Sequence, residues 1–315
     1  MAPLSPTSRA WVLKAQTAIW TGDADRKGER TVTTGLLGSL RWWFEVLVRG
    51  LGGSACDPSD SDGRCPDNKG KHCVVCELFG CTGGARKFRF DVLEESGKIK
   101  RDQIKKDEKF HFRFTPLRPM RDEEWALLDL TLRLIADYGA IGGKTVLKPS
   151  EEANRQNLPH HEDYGVISIE DFPRIQGVSK DALRAYVRDS AWRRVEHHEF
   201  AWAALNHFWC VRGRSLRRQS EAKSTFNRVV GRNEQKQQGQ QLRQGANGAE
   251  RWLAGGQAES KKVFSFKDQA RTFGFVNQGT IDFGEMKQRL KGIWPDLKDG
   301  GFVKGDEVLK RLLNA

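Results

Sequence analysis

The chain of 315 residues has no uninterrupted apolar segment approaching the roughly 20 residues that a membrane-crossing helix needs. Its opening segment, MAPLSPTSRAWVLKAQ, also lacks the continuous apolar core of a secretory signal. A Walker phosphate loop is missing too, because the glycines of GAIGGKT have the wrong spacing. We therefore expect a cytoplasmic protein with no membrane partner, in which cysteine thiols stay reduced.

Acidic residues are fewer than basic ones, since 41 Asp and Glu stand against 53 Lys and Arg, a net charge of +12. An excess of this size favours a polyanionic partner, and nucleic acid is the commonest. The hydrophobic content of 38% is sufficient to build the core of one large domain or two ordinary ones.

The first part of the chain predicts an α+β fold of the ferredoxin-like, RRM-like type. Its order is strand, helix, insertion, strand, strand, helix, glycine-rich loop and strand, and such a sheet is a known platform for RNA. Alternating and helical patterns place these strands at 10–21, 85–96, 109–120 and 163–171, and the helices at 33–53 and 121–137. We set this domain at 1–175, with a cysteine-rich insertion at 54–82 and the glycine-rich loop at 139–145.

The second part, 176–315, predicts a helical region followed by a second, degenerate ferredoxin-like domain. A helix is expected over 179–209, strands in KKVFSF and TFGFVNQGTIDF, and short helices near 284–293 and 305–313. The stretch 233–260 is rich in Gln, Gly, Asn and Ala and predicts a flexible loop.

Five of the six cysteines lie between Cys56 and Cys81. Clustered thiols suit a structural zinc site or a disulfide staple, and reduced thiols favour zinc. Cys73 and Cys76 form a knuckle with two intervening residues. The predicted zinc ligands are Cys56, Cys65, Cys73 and Cys76, with His72 or Cys81 as substitutes. Buried thiols without metal are the alternative.

Basic and glycine residues predict contacts with an RNA backbone, and one aromatic residue predicts base stacking. Three simpler explanations stay open: an ion pair between Arg41 and Glu45, packing of Trp42 under a loop, and a helix end at the glycines. The predicted RNA-binding residues are Arg41, Trp42, Arg86, Lys87, Gly142, Gly143, Lys144, Thr145, Arg212 and Arg214.

Four segments in order, TAIWTGD, TGLLGSLRWWFEVLVRGLGG, CDP and CVVCELFGCTGGARKFRF, resemble the RAMP superfamily of CRISPR effector subunits. Within it they resemble the first subunit of the type III-B Cmr complex. The resemblance covers roughly residues 10–170. It implies an RRM-like fold whose glycine-rich loop matches YGAIGGKTVLKP, although here the second glycine, in Tyr164-Gly165, comes about twenty residues later.

The resemblance also implies a function. We expect a non-catalytic subunit of a ribonucleoprotein used in antiviral defence, with guide RNA (crRNA), target RNA and other RAMP subunits as partners and a place near the 3′ end of the guide. Relatives that cut RNA carry an acid in the loop after the first strand, so an endoribonuclease using Asp23 or Asp25 is the alternative. A piece of a longer fused effector is a third possibility.

Overall fold

The computed structural model describes residues 8–22, 27–57, 60, 62–143, 150, 152, 161–195, 200–217, 224–233, 242, 244–255 and 260–314. The chain folds into two compact units. The first unit comprises Met1–Lys144, Gly165–Asn206 and Val308–Ala315, and the second comprises Thr145–Tyr164 and His207–Glu307. The segment 176–206, which the sequence assigned to the second domain, therefore lies with the first unit.

The first unit contains a four-stranded antiparallel sheet with the order β2-β3-β1-β4. This is the ferredoxin-like order, in which the two outer strands are the second and the fourth along the chain. The strands are β1 (Arg9–Ala15), β2 (Phe88–Glu94), β3 (Lys109–Pro116) and β4 (Ile167–Asp171). The helices are α1 (Thr33–Gly50), α2 (Val74–Phe79), α3 (Asp122–Tyr138) and α4 (Lys180–Arg188).

Alternation along β3 decides which face of this sheet is buried. Phe110, Phe112 and Phe114 have no solvent exposure, whereas Lys109 at the start of the strand is exposed. The buried face continues on β1, where Trp11 lies edge-on to Phe114 at a centroid distance of 5.3 Å. Side chains on successive residues of a strand point to opposite faces, so this core follows directly from the sequence pattern.

The second unit repeats the same topology. Its antiparallel sheet has the order β6-β7-β5-β8, which matches the order of the first sheet strand for strand. The strands are β5 (Phe208–Arg212), β6 (Val263–Phe266), β7 (Arg271–Phe275) and β8 (Val303–Lys304), and the helices are α5 (Thr225–Val230), α6 (Gly248–Ala254) and α7 (Phe283–Lys291). The last helix is α8 (Gly305–Asn314). The predicted α+β class with two ferredoxin-like units is thus confirmed.

Two predictions for the second half are wrong in detail. The helix expected over 179–209 ends at Arg188, and residues 208–212 form β5. Four of the five β5 residues are buried, so the strand shows no alternation that would mark it. The stretch 233–260 also contains helix α6, whose Asn247 and Glu250 form a capping box.

None of the helices in the described part of the chain combines the length and the apolar character required to span a lipid bilayer.

Candidate metal centre and nucleic-acid interface

The four predicted zinc ligands come together in one buried cluster. The Sγ atoms of Cys56, Cys65, Cys73 and Cys76 all lie within 4.8 Å of one another, and the Cys56 and Cys76 sulfurs are 3.4 Å apart. Tetrahedral Zn–S bonds of about 2.3 Å would separate the sulfurs by about 3.8 Å. All six cysteines are free, so the cluster contains no disulfide. The donor set and its spacing fit a metal ion.

Helix α2 and the turn before it position the cysteines of this cluster. Cys73 is the N-cap of α2 and Cys76 lies in its first turn, which places both sulfurs at one end of the helix. The main-chain N–H of Cys73 donates to Cys65 Sγ at 3.2 Å. The carboxylate of Asp67 accepts the N–H groups of Lys69 and Lys71 and orders the turn between the two pairs of cysteines. Such turns use the side chain in place of main-chain partners.

The two predicted substitutes do not join the four sulfurs. His72 places Nε2 2.5 Å from the Glu77 carboxylate. Cys81 is half-buried on a turn closed by hydrogen bonds with Gly84, and burial raises the pKa of its thiol. Among the described residues, only the four cysteines form a group with metal-ligand spacing.

Arg41 lies against this cluster. Its Nε donates to Glu45 Oε1 at 3.0 Å and its Nη1 donates to the Gly80 carbonyl at 3.0 Å. Its Nη2 lies 3.3 Å from Cys76 Sγ. The pair with Glu45 considered from the sequence is therefore present, and contact with the sulfur was not foreseen. RNA contact by Arg41 stays a prediction.

Lys87 occupies a buried ionic network. Its ammonium lies 2.7 Å from both Glu77 Oε1 and Glu124 Oε1, and the side chain is 9% exposed. Tyr186 also donates to Glu124, at 2.7 Å. A phosphate could reach Lys87 only if these contacts were broken. Arg86, the neighbouring predicted contact, is half-buried.

The glycine-rich loop packs against the segment that follows β1. The N–H of Gly143 donates to the Trp20 carbonyl at 2.8 Å, and that of Gly142 donates to Ser39 Oγ at 3.1 Å. A Cβ on Gly142 would lie 2.5 Å from the Trp20 carbonyl oxygen. The glycines are needed for close main-chain packing, and their two amides already have partners. Lys144 and Thr145 lie outside the described residues.

Gly165 returns to this loop despite the long intervening segment. Its N–H donates to the Ala18 carbonyl at 2.9 Å, and its carbonyl accepts the N–H of Ile141 at 2.8 Å. A Cβ at this position would lie 1.9 Å from the Ile141 carbonyl oxygen, and φ is +80°. Only glycine fits both conditions. The glycine-rich loop and the Tyr164-Gly165 segment therefore pair in the structure, although they are separated along the chain.

Trp42 is half-buried beside this loop. Its ring lies edge-on to Trp43 with centroids 4.9 Å apart, and Trp43 Nε1 donates to the Ala140 carbonyl at 2.8 Å. Trp42 thus has a packed edge and retains some exposed surface. Both explanations for this residue, packing and stacking of a base, are compatible with that position.

In the second unit, Arg212 and Arg214 line an open cavity of about 480 Å³ together with Lys298. Arg212 is exposed at the end of β5. Arg214 makes two hydrogen bonds to Asp296, of 3.0 and 2.6 Å, and the Asp296 side chain is 73% exposed. Asp23 and Asp25, the alternative catalytic residues, lie outside the described residues.

A second arginine that the sequence did not single out also contacts the four-cysteine cluster. Arg193, beyond α4, donates to the Arg64 carbonyl at 2.6 Å and places Nη1 3.7 Å from Cys65 Sγ. The sequence gives no signal for this contact, because the two residues are far apart along the chain and only the fold brings them together.

Comparison with known proteins supports the family expected from the sequence. The family model of the RAMP superfamily matches residues 12–147, which confirms the resemblance for that segment. No curated protein sequence matches the chain closely enough to count as a relative.

Solved structures share the fold of the chain. Cmr1 from Pyrococcus furiosus, in its apo crystal form, matches with 12% identity and a TM-score of 0.50 over 95% of this chain and 98% of its own. A chain of the type III-B Cmr-beta complex, bound to cognate target RNA and AMPPnP in the presence of ssDNA, matches with 9% identity and a TM-score of 0.52 over 92% and 99% of the two chains. At these identities the likeness concerns the fold.

Proposed function

We propose, on the premise that residues 12–147 form a RAMP superfamily domain, that the chain is a non-catalytic RNA-binding subunit of a type III CRISPR effector complex. It holds guide RNA near its 3′ end and assists the capture of target RNA in antiviral defence. Its partners are guide RNA, target RNA and other RAMP subunits.

The observation that carries this proposal is the family match combined with a Cmr1-like fold that extends over almost the whole chain. A solved complex containing a chain of the same fold is bound to target RNA. The net charge of +12 supports a polyanionic ligand independently of that likeness. The exposed position of Arg212 is consistent with contact to an RNA backbone.

The test is a titration of fluorescently labelled single-stranded RNA with the purified full-length chain, followed by anisotropy. We expect binding that tolerates changes of sequence, because the backbone supplies most of the affinity. Intact RNA after prolonged incubation with and without divalent metal supports the non-catalytic role. A cut that disappears in Asp23→Ala or Asp25→Ala would instead establish the endoribonuclease.

We also propose that the four-cysteine cluster holds a structural zinc ion. Cys56, Cys65, Cys73 and Cys76 would supply all four ligands, as in closed structural sites. Bound zinc would contribute on the order of 10 kcal/mol to ordering the insertion.

Elemental analysis of the full-length chain is expected to give one zinc per chain. Cys76→Ser removes a ligand and should abolish metal retention, whereas Cys81→Ser changes a nearby thiol outside the cluster and should leave it intact. Equal zinc content in both variants would contradict the ligand set, and a chain purified without any metal would contradict the site.

A further inference from the structure

Two guanidinium groups from distant parts of the chain converge on the cysteine sulfurs. Arg41 on α1 places Nη2 3.3 Å from Cys76 Sγ and 3.9 Å from Cys56 Sγ. Arg193 approaches Cys65 Sγ to 3.7 Å. A thiol is a weak hydrogen-bond acceptor, whereas an ionised acceptor makes shorter and stronger bonds to a cation. The 3.3 Å contact of Arg41 therefore suits a sulfur that carries negative charge, and Arg193 places a second cation 3.7 Å from another sulfur.

Among the described residues, the carboxylates that bind these two arginines do not balance their positive charge. Glu45 binds Arg41 through Oε1 at 3.0 Å and Arg49 through Oε2 at 3.1 Å, so one carboxylate serves two guanidinium groups. The hydrogen bonds of the Arg193 side chain to oxygen, within the described residues, are to the main-chain carbonyls of Asp62, Gly63 and Arg64. Cationic charge is thus left over beside the sulfurs.

We propose that Arg41 and Arg193 bind the sulfurs of the metal ligands from outside the coordination sphere and stabilise the four thiolates. This inference rests on the proposed zinc site. Four thiolates around a divalent cation carry a net charge of two negatives, and desolvated charge of that kind needs nearby counter-charge or hydrogen bonds. The two arginines supply both counter-charge and hydrogen bonds. Arg41 precedes the four cysteines in the chain and Arg193 follows them.

Arg193 also joins a second segment to the insertion. Its N–H donates to the His72 carbonyl at 3.0 Å, and the N–H of Val195 donates to Ser54 Oγ at 2.8 Å. One residue before Arg193, Trp192 Nε1 donates to the Tyr186 carbonyl at 2.7 Å. Arg193 and Val195 therefore contact the cysteine insertion at its start, Ser54, and in its interior at His72, which precedes Cys73. Metal binding orders the insertion, so it should also hold this segment in place.

The test measures zinc transfer from the full-length chain to a chromogenic chelator. Outer partners of metal ligands typically change metal affinity by about 10- to 100-fold. We expect Arg193→Ala and Arg41→Gln to release zinc at least about 10-fold faster than the unchanged chain. Arg194→Ala is the matched control, because Arg194 is exposed and donates to the Arg188 carbonyl at 3.3 Å without contacting a sulfur.

A second readout follows the segment itself. Limited trypsin digestion with mass spectrometry should show faster cleavage after Arg188 and Arg194 once a chelator has removed the zinc. If the unchanged chain holds no metal, the zinc proposal fails. If it holds zinc and both variants release it at the rate of Arg194→Ala, the outer-partner role is overturned. If circular dichroism shows that Arg41→Gln is unfolded, the zinc-release rate of Arg193→Ala alone tests the proposal.

Discussion

Asp163 shows how one half-buried carboxylate can make the second unit sensitive to pH. Its Oδ2 accepts the main-chain N–H groups of Lys267 at 2.6 Å and Asp268 at 2.5 Å, in the turn that joins β6 to β7. Its Oδ1 is buried and has no hydrogen-bond partner within the described residues. Burial raises the pKa of this carboxyl to about 7, against the opposing effect of the N–H donors.

The sign of the pH dependence follows from the raised pKa. The folded chain binds this proton more tightly than the unfolded chain, whose Asp has a pKa near 3.8. The contribution to stability is therefore complete below about pH 4 and is lost as the pH rises towards 7. Asp163→Asn keeps an acceptor for both N–H groups without the charge.

We expect Asp163→Asn to remove this fall in Tm between pH 4 and 7 and to be more stable than the unchanged chain at pH 7.5. Thermal unfolding across that pH range measures it. Asp107→Asn, at an exposed carboxylate whose side chain is 65% accessible, serves as the control. Parallel pH curves for Asp163→Asn and the unchanged chain would contradict the assignment.

Individual residues also mark where sequence reasoning stops. The cluster of four cysteines could be predicted because its chemistry is local: two cysteines flank two residues, and two more lie on the same loop. The position of Lys87 could not, because its partner Glu124 comes from another element and Tyr186 from a third. From the sequence alone, a basic residue next to a strand is interpreted as a surface residue, because its acidic partners lie in other elements.

At the scale of elements, the first two turns of α1 contain two glycines in very different surroundings. A Cβ on Gly35 would lie 2.6 Å from the Thr21 carbonyl oxygen, whereas a Cβ on Gly38 would meet nothing within 4 Å. Thr21 itself fixes the start of the helix, because its hydroxyl accepts the Val32 N–H at 2.9 Å and donates to the Arg30 carbonyl at 2.6 Å. Gly35 thus lets the helix approach the segment after β1.

The matched substitutions should have opposite effects. Gly38→Ala is expected to raise the free energy of unfolding by up to about 1 kcal/mol, since alanine favours the helix over glycine. Gly35→Ala gains the same propensity but must move the helix away from a main-chain oxygen, so we expect a net loss of about 1–3 kcal/mol. Chemical denaturation measures both. A stabilised Gly35→Ala would show that this packing is loose.

The elements that the sequence predicted are those with a long periodic pattern. Helix α1 buries Leu36, Leu40, Trp43, Phe44 and Leu47 as its spacing indicates. Helix α6 has seven residues and lies in polar surroundings, so composition concealed it. Its capping box, Asn247 with Glu250, was the available signal. Strand β5 is buried too completely to alternate, and its neighbours β7 and β8 come later in the chain.

At the scale of the whole molecule, the charge of +12 predicts how RNA affinity responds to salt. Each phosphate that a basic side chain neutralises releases counterions, and for single-stranded nucleic acid it adds roughly 0.7 to the slope of log affinity against log salt. Arg212, exposed on the second unit, is the predicted contact whose position is simplest to test. Removing it should change the slope as well as the affinity.

We expect Arg212→Ala to reduce the magnitude of this slope by about 0.7, measured by anisotropy between 50 and 200 mM salt. Lys310→Ala is the matched control, because it removes the same charge from an exposed position on α8. A global effect of net charge would alter both variants alike, whereas a phosphate contact alters only Arg212→Ala. Identical slopes in all three proteins would remove Arg212 from the interface and leave its positive charge to a neighbouring subunit.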